Sequence, residues 1–208
     1  MKLKGLYAIT DDVLTPFETI KKQVEIALQN GVRILQFRDK KSSDNEVLSI
    51  CSELKKLCDS YGALFVLDDR IDIARELGAA LHIGKDDISL VEARKSFDGV
   101  IGVSCYGDIN RAIEAERNGA SYVAFGSFFK SPTKPNSEVV NFDVLVEANK
   151  KLQLPICVIG GINISNIDQF NTLQPDMVSV ISGIFDGDIA KNCGNLLAKS
   201  PYLISSDM

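Results

Sequence analysis

The chain has 208 residues, 45% of them hydrophobic and 25% charged, with a formal net charge of −5. That supply of apolar side chains excludes a disordered scaffold, and the acidic balance excludes a nucleic-acid footprint, so cations that face an anion must do so locally. No apolar run reaches the roughly 20 residues that span a bilayer, and polar Thr10 to Asp12 cut the first apolar run too short for a secretory core.

The first apolar run covers 5–10 and is followed by Thr15-Pro16-Phe17-Glu18, which predicts a capping box with proline at the first helical position. Gly31 ends that helix. A second run at 32–37 breaks into Arg38, Asp39, Lys40 and Lys41. Ser43-Asp44-Asn45-Glu46 then predicts another capped helix, with Val47, Leu48, Cys51, Leu54 and Cys58 on its buried face. Cys51 and Cys58 are expected to pack in the core rather than hold a metal. All five cysteines, at irregular spacing with no CxxC, read as reduced thiols of a cytoplasmic protein.

Further apolar runs follow at 63–67, 80–83, 100–104, 122–126, 156–159 and 177–182. Ser89, Asp108, Asn141 and Ser165 mark helix starts between them. The runs are nearly continuous in Val, Ile, Leu and Phe, as parallel strands buried on both faces require. Eight strand–helix alternations predict a single TIM barrel, (β/α)₈, over 1–208, in preference to an open doubly wound sheet, whose glycine-rich first turn is missing here.

In such a barrel the chemistry collects where the strands end. The second strand ends in Arg38 and Lys40, the third in Asp68 and Asp69, and the fourth in Asp86 and Asp87. The fifth ends in Ser104, the sixth runs to Ser131, Thr133 and Lys134, and the last two end in Gly160-Gly161 and Ile181-Ser182-Gly183. A carboxylate from each of two adjacent strands, facing several cations, describes a clamp for Mg²⁺ and a pyrophosphate. The glycines of the last two loops suit a monophosphate. His82, the only histidine, lies in an apolar run and is expected to be a core or supporting residue, which argues against chemistry needing a histidine base.

These blocks resemble the thiamine-phosphate synthase family. "LYAITDD", "QFRDK", "LDDR", "LHIGKDD", "FGSFFKSPTK", "IGGIN" and "VISGI" occur in that family's order along most of the chain. The resemblance implies a (β/α)₈ transferase that couples hydroxymethylpyrimidine pyrophosphate to a thiazole phosphate. It implies that Gln36, Arg38, Lys40, Ser104 and Lys134 contact the pyrimidine and its pyrophosphate, with Arg38, Lys40, Ser104 and Lys134 as the catalytic set. Asp39 and Asp68 join the substrate-binding residues, Asp69 and Asp87 hold Mg²⁺, and Ser131, Thr133, Gly161, Ile181 and Ser182 take the thiazole phosphate. The expected partners are these small molecules, with no nucleic acid and no membrane, and a homodimer is compatible with the pattern.

The sequence departs from the family at Asp68, where asparagine is usual, and at Lys85, where glutamine is usual. Their opposite charges on adjacent strand ends predict a mutual ion pair. Lys130 and Ser131 likewise stand where Pro and Thr are usual. Two rival readings stay open. A thiazole tautomerase would carry histidine where Tyr106 stands and lack Pro132-Thr133-Lys134, and a non-catalytic phosphate-binding barrel would have no need of two metal-binding aspartates.

Overall fold

The structure is a computed structural model that describes residues 3–130 and 138–204. Eight parallel strands close into a barrel in sequence order: β1 Gly5–Ile9, β2 Val32–Phe37, β3 Leu64–Asp68, β4 Ala80–Ile83, β5 Ile101–Tyr106, β6 Tyr122–Phe125, β7 Ile156–Ile159 and β8 Met177–Val180. Around them lie α1 Phe17–Gln29, α2 Asp44–Ser60, α3 Ile71–Leu77, α4 Leu90–Arg94, α5 Ile109–Arg117, α6 Asp143–Lys151, α7 Ser182–Phe185 and α8 Ile189–Lys199. Among the described residues, no helix is long and apolar enough to cross a membrane.

The continuous apolar runs are explained by two cores. Leu6, Ala8, Leu35, Phe37, Phe65 and Leu67 face outward and pack under the helices. Tyr7, Ile9, Ile34, Val66, Tyr122 and Met177 face inward and fill the cylinder. Because side chains alternate between two buried faces, every position along a strand must be apolar or paired. The Tyr122 ring lies across the interior above Gly102, where an added Cβ would come within 2.0 Å of its Cζ.

The helix starts follow the sequence at most sites. Ser89 accepts from the Glu92 amide at 3.2 Å, Asp108 from the Asn110 amide at 2.8 Å, and Asn141 from the Asp143 amide at 3.0 Å. At Ser43 the Glu46 carboxylate takes the backbone N–H at 2.7 Å. The Thr15 capping box does not form. Pro16 sits in an extended conformation (φ −64°, ψ 152°) as the residue before the helix, and the Thr15 hydroxyl instead donates to the Asp11 carbonyl at 2.8 Å. The helix expected after Ser165 is a single 3₁₀ turn, Ile167–Phe170, followed by hydrogen-bonded turns that end at left-handed Gln174 (φ 45°).

Candidate active site

A cavity of about 390 Å³ opens at the C-terminal end of the barrel, within the range of small-molecule sites. Gln36, Arg38, Lys40, Asp68, Asp87, Ser104, Gly161, Ile181 and Ser182 all line it. Parallel pairing brings them together: Gln36 on β2 is in register with Val66 on β3, and Asp68 with His82 on β4. The ends of β2, β3, β4 and β5 therefore deliver polar side chains to the same rim.

Lys40 sits at the centre of a carboxylate cluster. Its ammonium bonds Asp69, lies 3.1 Å from Asp68 Oδ2 and is 4.0 Å from Asp87 Oδ1. Burial works to lower the Lys40 pKa, but the contacts with Asp69 and Asp68 outweigh it and raise the value. Asp69 is raised as well: burial disfavours its charge and the charges of Asp68 and Asp87 add to that, against the opposing bond from Lys40. Asp69 also has left-handed backbone (φ 54°), a conformation that aspartate tolerates better than most residues.

Asp68 is tied to three partners on or after β2. Its Oδ1 accepts from Gln36 Nε2 at 3.0 Å, and its Oδ2 lies 3.5 Å from Arg38 Nε as well as 3.1 Å from Lys40. The expected Asp68–Lys85 pair does not form. Among the described residues Lys85 enters no ion pair, and its backbone N–H donates to the Tyr106 hydroxyl at 3.2 Å. The partners Asp68 takes instead come from β2 and the loop after it, the strand paired with its own β3.

Asp39 is separated from the cavity. Its carboxylate accepts from the backbone amides of Lys41 at 2.8 Å and Ser42 at 2.7 Å and lies 3.7 Å from Arg70. Its other oxygen, Oδ2, accepts from the Ser42 hydroxyl at 3.1 Å, so Asp39 shapes the loop that carries Lys40 and does not line the cavity. Arg70 completes that loop by donating to the carbonyls of Asp39 and Ser42, both at 2.7 Å. Its place in "LDDR" was the only hint in the sequence.

Two aspartates fit a small hard cation in their donor chemistry. Asp87 Oδ2 accepts from the Gly84 amide at 2.6 Å, and Asp68, Asp69 and Asp87 share the single ammonium of Lys40. Added positive charge would relieve that crowding. Among the described residues no group of three or more ligating side chains forms a ready cage. Mg²⁺ does not need one, since it is commonly held by one or two carboxylates with waters and phosphate oxygens.

On the opposite rim, Gly160 (φ 108°) and Gly161 (φ 62°) let the β6 and β7 loops touch. A Cβ at Gly161 would meet the Lys130 carbonyl at 2.4 Å. α7 begins at Ser182, so its first amides have no carbonyl one turn back. Ser131, Thr133 and Lys134 lie outside the described residues. Ser179 was missed by sequence reading: it is buried, lines the cavity, and its hydroxyl has no protein partner among the described residues.

A parallel barrel with a charged cavity at the strand C-termini has the arrangement of TIM-barrel enzymes, whose active sites sit at that face and frequently include a phosphate site on the last two loops. The family model for thiamine monophosphate synthase matches residues 6–184. Thiamine-phosphate synthase of Wolinella succinogenes is 42% identical over 195 residues, covering 92% of this chain and 90% of the relative. That of Thermoplasma acidophilum is 44% identical, covering 88% and 86%. A solved thiamine phosphate pyrophosphorylase from Pyrococcus furiosus superposes with a TM-score of 0.88 at 29% identity, covering 98% of each chain. The chain belongs to the thiamine monophosphate synthase family and is an enzyme, a transferase.

Proposed function

We propose that this enzyme joins hydroxymethylpyrimidine pyrophosphate to a thiazole phosphate, giving thiamine phosphate and pyrophosphate. The carrying observation is the convergence of Arg38, Lys40, Asp68 and Asp87 over one cavity, with Asp69 bonded to Lys40. In the reaction the CH₂–O bond breaks and its electron pair leaves on pyrophosphate. The aminopyrimidine stabilises the resulting cation, and the thiazole nitrogen lone pair forms the new C–N bond. No protein nucleophile is required.

Arg38 and Lys40 stabilise the charge growing on the leaving group, Ser104 supplies a further hydrogen bond, and Gln36, oriented by Asp68, addresses the pyrimidine. Lys134 is assigned to the pyrophosphate by family resemblance. Asp69 and Asp87 would hold Mg²⁺, which when bound adds positive charge against the diphosphate. Gly161, Ile181 and Ser182, with Ser131 and Thr133 by resemblance, take the thiazole phosphate. The cavity holds both rings close, which lowers the entropic part of the barrier. The buried thiols are consistent with a cytoplasmic setting.

The test is to mix purified protein, both substrates and Mg²⁺ and to quantify thiamine phosphate and pyrophosphate. Product is expected, lost with a chelator and reduced about a hundredfold or more in Arg38→Ala. No product from the unmodified enzyme would end the assignment.

A further inference from the structure

Four side chains from four strands form a hydrogen-bonded line from the barrel interior to the cavity. The Tyr7 and Tyr122 hydroxyls are 3.0 Å apart, Tyr122 lies 3.0 Å from His82 Nδ1, and His82 Nε2 lies 2.9 Å from Ser104 Oγ. Tyr7 and Tyr122 are fully buried, and burial first of all pushes both phenols upward, so each keeps its proton. Among the described residues the Tyr7 hydroxyl has no other hydrogen-bond partner.

This arrangement has only one direction in which every buried proton is used. If Tyr122 donated to Tyr7, the Tyr7 proton would be buried with no acceptor, which carries the full cost of an unmade bond. Tyr7 therefore donates to Tyr122, and Tyr122 donates to Nδ1. The imidazole proton then sits on Nε2 and is given to Ser104 Oγ. With that oxygen already accepting, the Ser104 proton is the group left to face the cavity.

We infer that Tyr7, Tyr122 and His82 are positioning residues that set Ser104 as a hydrogen-bond donor toward an acceptor atom of the bound pyrimidine or its diphosphate. The line imposes polarity on Ser104, so the site selects for an acceptor there and against a donor. Its consequence for turnover rests on the function proposed above; the direction of the line does not.

The single histidine of the chain makes the direction measurable. In uniformly ¹⁵N-labelled full-length protein, a long-range ¹H–¹⁵N correlation spectrum should show the Nε2–H tautomer; Nδ1–H, or a ring protonated on both nitrogens at neutral pH, overturns the inference. Tyr122→Phe, which takes the donor away from Nδ1, should leave the ring Nε2–H, move the Nδ1 resonance toward that of a pyridine-type nitrogen accepting no hydrogen bond, and lower kcat/KM for coupling about three- to tenfold. Ser104→Ala should add little further loss in that background, because both changes act through one bond. An unchanged Nδ1 resonance in folded Tyr122→Phe, or full additivity, counts against the inference. Should that variant fail to fold, the wild-type spectrum alone decides. An Nε2–H ring in a protein that forms no thiamine phosphate would leave the line standing and remove the proposed reaction instead.

Discussion

Asp69 holds its carboxylate on left-handed backbone, beside two other acids that share its one cationic partner, Lys40. Its raised pKa means that the folded state binds this proton more tightly than the unfolded chain does. Stability from this group therefore falls as pH rises through that raised value, so at neutral pH the ionised Asp69 is a local cost. Asparagine keeps the size of the side chain and tolerates the same φ. We expect Asp69→Asn to leave the melting temperature equal or higher while cutting coupling about a hundredfold or more, with the two effects separated by calorimetry and product assay. The sequence displayed Asp69 and Asp87 as acids at adjacent strand ends. It did not display Lys40 between them, because the reach of a lysine across a barrel mouth depends on the loop and not on spacing.

The segment after β2 shows how a loop can be as well built as a helix. Asp39 gathers two backbone amides and Arg70 gathers two carbonyls, so the turn that presents Lys40 is fixed from both sides. Burial tends to raise the Asp39 pKa, but bonds from Ser42 and Lys41 and the charge of Arg70 outweigh it and hold the value below the ordinary 3.8. A depressed carboxylate stabilises above its unfolded pKa and loses that contribution as pH falls through the folded value. Asp39→Ala should destabilise the protein by about 1–3 kcal/mol in urea unfolding at pH 7, and the gap to wild type should narrow below about pH 4. Element positions were legible: the eight apolar runs correspond to the eight strands, with ends shifted by no more than a couple of residues. The role of Asp39 was not. An aspartate beside Arg38 and Lys40 looks like part of a binding surface, and only the backbone path shows its oxygens turned into the loop.

Across the whole molecule, the inner and outer faces of the strands are both buried, and that is why sequence could name the barrel but not its interior. In a half-exposed sheet, polar residues would mark the outward face; here Leu6 and Tyr7 are equally apolar and point opposite ways. Tyr7 and Tyr122 are 115 residues apart and still meet. Gly102 is the least conspicuous participant, its bare Cα making room for the Tyr122 ring. Gly102→Ala should cost about 1–3 kcal/mol or more through overpacking and should disturb the His82 resonances together with the melting temperature. Because Tyr7 and Tyr122 fill the cylinder from within, the chamber above them is closed from below by the inner core. Two reactants that share that chamber are then admitted either side by side or one after the other. Adding each product singly to the coupling assay tells which: an ordered entry gives competitive inhibition by one product against one substrate only.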